Sequence, residues 1–222
     1  MFLLSLLLLL QAPTEHAILE AEYQRVENVS TLLNGLKSRD VRVQRLAVRA
    51  IGRLERPTLR DAVIPYLRSA DADVRGEAVG ALAQMGAAFD FASLLPAEKS
   101  GTVRAVTFEA IGRAKPPAAG TETILVAGLI DADPVARTGA ARGLESLIRL
   151  NIKTTRPDPV TVGALRSAVR DDPISRLRQF AMLALNTAGD QDAATFDIAL
   201  KDDDPQVRRL AVIGSKRWVE DP

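Results

Sequence analysis

The residues of this sequence with the clearest capacity for chemistry are arginines, and five of them recur at helical spacing in one short segment. They stand three, four, four and three residues apart, at Arg42, Arg45, Arg49, Arg53 and Arg56. These intervals place all five guanidinium groups on one stripe of an α-helix. Residues 39–60 contain seven arginines and two acids, a net charge of +5. Such a stripe could bind phosphate, an anionic lipid surface or an acidic protein.

The alternative is that this arginine stripe is an ordinary solvated helix face. Acidic residues of the preceding segment, such as Glu20, Glu22 and Glu27, could balance its charge. The whole sequence has 29 basic and 28 acidic residues, so no overall field points to nucleic acid or a membrane surface. We favour the solvated face, and we do not expect nucleic acid to be a partner.

Aspartates are the second group with potential chemistry, because they cluster in several turns. The clusters are Asp71 with Asp73, Asp131 with Asp133, Asp171 with Asp172, and Asp202 to Asp204. A calcium site needs six to eight oxygen ligands that converge on one point. These acids instead recur at intervals along the chain, each just before a predicted helix. We therefore expect them to cap helices, and we expect no metal and no cofactor.

Nucleophilic and general-base chemistry has few candidates. The chain has no cysteine and a single histidine, His16. The absence of cysteine excludes disulfides, thiolate nucleophiles and cysteine-bound zinc. General bases are most often histidines, and zinc sites usually need several histidines or cysteines. We therefore expect a protein that is not an enzyme.

The elements that position these residues are predicted by an internal repeat. Six segments each open with an apolar residue, which arginine follows in five of them. The openings are separated by 31, 29, 33, 41 and 30 residues, at Val43, Val74, Val103, Ala136, Leu177 and Val207. Alanine stands four residues after the opening in five segments, and alanine or glycine stands seven after it in all six. Because these positions share one helix face, the segments predict helices that pack closely through small side chains.

Aspartates predict where these helices begin. An aspartate stands three residues before the opening in four copies, at Asp40, Asp71, Asp133 and Asp204. A carboxylate there accepts hydrogen bonds from the unpaired N–H groups of the first helical turn. In the fifth copy Asp172 and Pro173 lie two residues further upstream, so we expect that helix to start earlier.

A second amphipathic segment precedes each of these helices, as in the twelve residues from Thr58. Each unit therefore predicts a helical hairpin, and stacked hairpins share one core. A polar insert at residues 151–159 lengthens the fourth interval to 41 residues. We expect a bend or hinge there.

The pattern resembles the HEAT repeat, in particular the short form called PBS lyase HEAT-like. Its signature is Asp, two residues, Val-Arg, two residues, Ala, then Ala-Leu-Gly, carried best by residues 71–83 and well by 40–52 and 204–214. The chain is thus similar to bacterial proteins with HEAT repeat domains. The resemblance implies an all-α fold, an α-solenoid of about six hairpins over residues 28–218. It also implies that a recurring arginine pairs with an aspartate of the neighbouring turn, at Arg75, Arg104, Arg137, Arg178 and Arg208.

Residues 1–13 predict a secretory signal peptide, since the run MFLLSLLLLL is too short to span a bilayer. The alternatives are an uncleaved anchor and a buried first helix. We expect an exported protein, periplasmic or secreted, that is membrane-anchored if residues 1–12 are retained. We further expect a capping helix at residues 14–27 and a short tail at 219–222.

Together these patterns predict a non-catalytic scaffold that holds a protein partner on its concave surface. Contact with a membrane is expected only through the N-terminal apolar segment. One alternative is the positioning or regulatory segment of a larger enzyme, such as a cyclophilin-type peptidyl-prolyl isomerase, because the chain from Ala17 through two repeats looks like the front of such proteins. A second alternative is binding of nucleic acid or an anionic surface through the stripe from Arg42 to Arg56.

Overall fold

Helices and turns make up the part of the chain that the structure describes. The structure is a computed structural model, and it describes residues 13–25 and 27–220, with the backbone alone at 216–220. No β-strand occurs in these residues, so the predicted all-α fold is confirmed. None of their helices is long and apolar enough to cross a bilayer. The predicted signal peptide, up to residue 12, lies outside the described residues.

The chain divides into two compact units, of which the first ends at Phe89. Its N-terminal helix, α1, lies within the segment for which a capping helix is predicted. The helices of this unit are α1 (Glu15–Tyr23), α2 (Ser30–Leu36), α3 (Val41–Arg53), α4 (Arg60–Val63) and α5 (Ala72–Gln84). Two 3-10 turns, Pro57–Leu59 and Ile64–Arg68, flank α4.

The second unit begins at Asp90 and opens with a 3-10 helix, Phe91–Ala97. This 3-10 helix packs against α6, and three hairpins of two α-helices follow. We use "second helices" for α3, α5, α6, α8, α10 and α12. The helices are α6 (Gly101–Arg113), α7 (Thr121–Gly128), α8 (Pro134–Asn151), α9 (Pro159–Asp171), α10 (Ser175–Ala188), α11 (Ala193–Ala199) and α12 (Pro205–Glu220).

Prolines explain why two first helices are irregular. The amphipathic segment from Thr58 forms a 3-10 turn, one α-turn and a second 3-10 turn that contains Pro65. The 3-10 helix at the start of the second unit contains Pro96. Proline lacks an N–H donor and clashes with the carbonyl four residues earlier, so a regular α-helix does not continue through it.

The core follows the repeat. All six opening residues of the second helices are at most 5% exposed, and the small residue seven positions later is buried in every copy. On α3 the stripe opposite the arginines is also buried, and it consists of Val43, Ala47, Ala50, Ile51 and Leu54. Small side chains thus let neighbouring second helices approach closely, as the spacing predicts.

The predicted caps are present at four helix starts. Asp40 caps α3, Asp71 caps α5, Asp133 caps α8, and Asp204 accepts from the N–H groups of residues 206 and 207. Ser100 does the same for α6. The prediction that these four aspartates cap helices is therefore confirmed.

We predicted that the second helix of the fifth repeat starts earlier than in the other repeats, and this prediction is wrong. The helix α10 begins at Ser175, two residues before Leu177, which is the same offset as in the other copies. Asp172 precedes a proline and is held extended, with φ −78° and ψ 129°, so it ends α9 and cannot begin α10.

The insert at residues 151–159 is tied to the helices on both sides of it. The Arg156 guanidinium donates to the carbonyl of Ala188 at 3.3 Å, and the backbone N–H of Asp158 donates to Glu122 at 2.9 Å. The division between the two units falls at residues 89 and 90, not at this insert. A bend or hinge at the insert remains a prediction.

Candidate functional site

Each turn that joins the two helices of a hairpin contains the same type of hydrogen bond. In every repeat the residue two before the helix cap accepts from the backbone N–H of the cap residue, at 2.8 to 3.3 Å. The six accepting residues are Ser38, Ser69, Glu98, Asp131, Asp172 and Asp202. Each turn is thus closed by a side chain, which fixes the backbone just before the second helix.

The recurring arginine links one of these turns to the next. Arg104 donates from Nε and Nη2 to the two carboxylate oxygens of Asp131, at 2.8 and 2.7 Å. Arg178 makes the same two contacts with Asp202, both at 2.7 Å. Arg137 donates from Nε to Asp172 at 2.8 Å. These bonds form the ladder of ion pairs that the HEAT resemblance implies, within the second unit.

Each of these arginines also binds its own turn. The Nη1 group donates to two backbone carbonyls that lie five and six residues earlier, as Arg104 does to those of Lys99 and Glu98. Arg75, Arg137, Arg178 and Arg208 repeat this arrangement. The recurring arginines are therefore oriented along the array, and they do not converge on a ligand site.

Replacing Asp131 with asparagine is expected to lower the free energy of unfolding by about 2 kcal/mol at pH 7. Asparagine keeps the acceptor for the N–H of Asp133 but loses the charged pair. The hydrogen bond from Arg104 holds the pKa of Asp131 below its usual value. A depressed folded pKa contributes stability above the unfolded pKa of about 3.9, and this stability is lost as pH falls through the folded value.

Urea unfolding of the wild type and Asp131→Asn, from pH 7 down to the acid range, measures this contribution. The difference between the two proteins should be constant above pH ~5 and should shrink below pH ~3.9. If the difference in free energy of unfolding stays the same in acid, the ion pair between Arg104 and Asp131 is not its origin.

The arginine stripe of α3 lies against carboxylates. Arg49 Nη2 is 3.1 Å from Glu22, and Arg53 also pairs with Glu22. Arg45 Nη1 is 3.0 Å from Asp73 on α5. Glu22 lies on α1, so one carboxylate of the N-terminal helix pairs with two guanidinium groups of the stripe.

The helix α3 ends at Arg53, so Arg56 lies beyond the helix on which the spacing predicts all five arginines. The two ends of the stripe have partners as well. Arg42 lies 3.5 Å from Glu15 and 3.3 Å from Asp40, and Arg56 donates to the backbone carbonyl of Glu27 at 3.0 Å. Burial raises the pKa of Glu77 on α5, while Arg49, Arg45 and Arg53 act in the opposite direction. Phosphate or nucleic acid would have to displace these intramolecular bonds, so the geometry favours a solvated, charge-balanced face.

The stripe has a register that recurs on the other second helices. Its first three members, Arg42, Arg45 and Arg49, stand one residue before, two after and six after the opening residue of their helix. We call the surface that these three positions form on the second helices the second-helix face. In the second unit this surface contains three exposed aliphatic side chains, Val135 on α8, Leu183 on α10 and Ile213 on α12, which are 50%, 37% and 42% exposed.

An aromatic ring lies beside this surface on α10. Phe180 is half-buried, and the guanidinium carbon of Arg176 lies 4.6 Å from its ring centroid. Arg142 of the neighbouring helix α8 lies 5.8 Å from the same centroid. This surface could have been found from the sequence, because Arg142 and Leu183 stand six residues after the opening residue of their helices, as Arg49 does on α3.

Metal and acid–base chemistry find little support in the described side chains. No group of three or more His, Cys, Asp or Glu in that part of the chain is arranged to hold a metal ion. His16, near the start of α1, is exposed. The aspartates of the turns are instead engaged in caps, turn closure and the ladder.

Comparisons with known proteins agree with this architecture. A family model described as HEAT repeats matches residues 29–112. No curated protein sequence matches the chain. Among solved structures, the HEAT-like repeats protein of the archaeon Thermococcus onnurineus NA1 is 15% identical with a TM-score of 0.58, and the match covers 90% of this chain and 91% of that one.

Engineered proteins share the fold as well. An engineered protein is 18% identical with a TM-score of 0.56, over 86% of this chain and 96% of its own. Armadillo repeat proteins described as computationally designed for modular peptide recognition give 15% identity and a TM-score of 0.52, over 85% and 99%. At these identities the likeness concerns the fold, which is a repeat solenoid of the HEAT and armadillo type.

Proposed function

We propose that this HEAT-type repeat chain is a non-catalytic scaffold that binds an extended protein segment along its second-helix face. The HEAT and armadillo fold is typical of proteins that mediate interactions between proteins. Structurally similar armadillo proteins were designed for peptide recognition, which supports the choice of partner class.

The observation that carries this proposal is the row of exposed aliphatic side chains Val135, Leu183 and Ile213. Single exposed aliphatics are common on protein surfaces. These three stand at positions of the second-helix face on three second helices, and the half-buried Phe180 lies three residues before Leu183 on α10. The buried cores of protein interfaces are more apolar than the surrounding surface, and aromatic residues and arginine are enriched in interfaces.

The charges of this surface indicate what the segment contains. On α8 the one arginine of the face, Arg142, has a carboxylate partner in Glu109 of α6, at 3.0 Å. Arg176 and Arg209 have no carboxylate partner among the described side chains. A segment with alternating apolar and acidic residues would contact the aliphatic row and these two guanidinium groups.

The proposal is tested with a displayed library of random twelve-residue peptides that is selected against the full chain. We expect binders rich in apolar and acidic residues. Replacing Leu183 with glutamate should weaken these peptides by at least about tenfold, since it places a negative charge in the apolar row. Fluorescence anisotropy with a labelled peptide measures the affinities.

Ile130→Glu is the matched control, because Ile130 is an exposed aliphatic residue in a turn, outside the second-helix face. It should leave peptide affinity unchanged, and helical circular dichroism should be the same for both variants. If selected peptides bind the Leu183→Glu and Ile130→Glu proteins equally well, the segment binds elsewhere. A saturable turnover by the pure protein would contradict the non-catalytic role.

We also propose that this scaffold acts outside the cytoplasm. The apolar run at residues 1–10 supports export, because its length suits the apolar region of a signal peptide. A protein partner would then be met in the periplasm or outside the cell, or at the membrane if the run is retained.

A further inference from the structure

A cleft of about 480 Å³ lies between the first helices α7 and α9, on residues that the second-helix face does not use. Its apolar walls come mainly from Val126 on α7, Leu147 and Ile148 on α8, and Val160 on α9. The volume falls within the range of about 300–1,000 Å³ that small-molecule sites occupy.

The insert between α8 and α9 creates this cleft. The helix α8 has 18 residues, whereas α3, α5, α6 and α10 have 13 or 14. Leu147, Ile148 and Asn151 belong to its additional turns, and they line the floor of the cleft. The insert then returns along one side, where Pro157 and Asp158 form the rim.

The lining carries negative charge and no positive charge. Its two ionisable side chains are the carboxylates Glu122 and Asp158, and it contains neither lysine nor arginine. No ion pair to either carboxylate forms within the described part of the chain. The cleft is thus an apolar space lined by two carboxylates that pair with no cationic side chain of the described residues, and one of them, Asp158, also caps α9.

The Glu122 carboxylate is held in a fixed orientation. One of its oxygens, Oε2, accepts from the backbone N–H of Asp158 at 2.9 Å and from the hydroxyl of Thr161 at 2.6 Å. Thr161 is 2% exposed, so this contact lies inside the protein. The other oxygen, Oε1, accepts no hydrogen bond from the described residues and is available to a ligand.

We propose that this cleft binds a small amphiphilic organic cation, whose apolar body packs against Val126, Leu147 and Ile148 and whose ammonium group binds Glu122. A cation is required because the carboxylates at the rim favour positive charge and would repel an anion. An apolar body is required because the walls offer few polar partners. This inference does not depend on the proposed peptide-binding function.

Binding is tested with the full chain and two probes of one carbon skeleton, 2-phenylethylammonium and 2-phenylethanol. Titration calorimetry and saturation-transfer NMR should give a Kd of about 1 mM for the ammonium compound, as expected for a ligand of nine heavy atoms. The alcohol should bind at least about tenfold more weakly, because it lacks the charge that Glu122 recognises.

Two variants connect the binding to this cleft. Glu122→Gln keeps the shape of the side chain and should abolish the preference for the ammonium probe. Val160→Arg should abolish binding of both probes, because it fills the mouth and adds a positive charge. Val160 is 72% exposed, so folding should not change. Ile130→Arg, at an exposed aliphatic residue in the turn after α7 that does not line the cleft, is the control and should bind both probes normally.

Several results would overturn the proposal. Equal binding of the alcohol and the ammonium compound would indicate a plain apolar cleft. Binding that survives in both the Glu122→Gln and Val160→Arg proteins would place the probe elsewhere, and no binding at about 10 mM would exclude the class of ligand. Self-association of the wild type that Val160→Arg abolishes would mean that a second copy occupies the cleft.

Discussion

Replacing Arg178 with alanine should lower the free energy of unfolding by about 3–5 kcal/mol. Arg178 is 8% exposed, and it donates to Asp202, Asp203 and the backbone carbonyls of Asp172 and Pro173. Its removal leaves the Asp202 carboxylate, 6% exposed, without its cation. Burial alone would raise the pKa of Asp202, but the hydrogen bonds from Arg178 and the turn hold it below the usual value.

Urea unfolding followed by circular dichroism measures this effect. Arg170→Ala is the control, since Arg170 is exposed and, among the described side chains, donates only to Ser167. Its cost should be within about 0.5 kcal/mol. Arg178→Lys should fall between the two, because lysine keeps the charge but cannot make the paired contacts. Equal stability of the Arg178→Ala and Arg170→Ala proteins would show that the ladder contributes nothing.

Replacing Gly112 with alanine should destabilise the second unit by about 2–3 kcal/mol. Gly112 on α6 lies directly against Gly143 on α8. A Cβ at residue 112 would lie 2.5 Å from the Cα and the carbonyl carbon of Gly143, and closer still to its oxygen. Alanine favours the helix by about 1 kcal/mol, but a backbone contact cannot be relieved by a rotamer change, so the overlap dominates.

The control for this substitution is Gly163→Ala on α9. An added Cβ at residue 163 meets nothing within 4 Å, so only the helix preference changes. We expect this variant to be more stable than the wild type by about 0.5–1 kcal/mol. Thermal and urea unfolding of both variants give the comparison, and a stabilising Gly112→Ala would mean that α6 and α8 can move apart at little cost.

The sequence is sufficient to predict the features that depend on one helix. The burial of Val43, Ala47 and Ile51 follows from their spacing on α3, and Asp40 and Asp133 cap helices because carboxylates suit unpaired N–H groups. These are local properties, so periodicity and residue type determine them.

The turn acceptors were harder to predict, although their signal is regular. Ser38, Ser69, Glu98, Asp131, Asp172 and Asp202 recur at the same intervals as the helix openings. Their type changes between serine, glutamate and aspartate, because one acceptor oxygen is enough to close the turn. Only the structure shows that Asp131 and Asp202 serve the turn and the neighbouring arginine together.

Contacts between distant segments account for the remaining differences. Glu20, Glu22 and Glu27 are equally plausible partners for the arginine stripe in the sequence, but Glu22 is the one whose carboxylate lies between Arg49 and Arg53. Glu20 accepts from Gln24 instead. The cleft beside Glu122 depends on additional turns of α8, which the polar composition of the insert does not reveal.

The two-sided bonding of the ladder arginines has a consequence for how the second unit unfolds. Arg104 and Arg178 each hold their own turn with one part of the guanidinium and the following turn with the other. Part of the free energy of unfolding therefore comes from bonds between adjacent repeats. When one repeat unfolds, its neighbour loses these bonds and becomes less stable. Such nearest-neighbour coupling makes unfolding cooperative over several hairpins, even though each hairpin touches only those beside it.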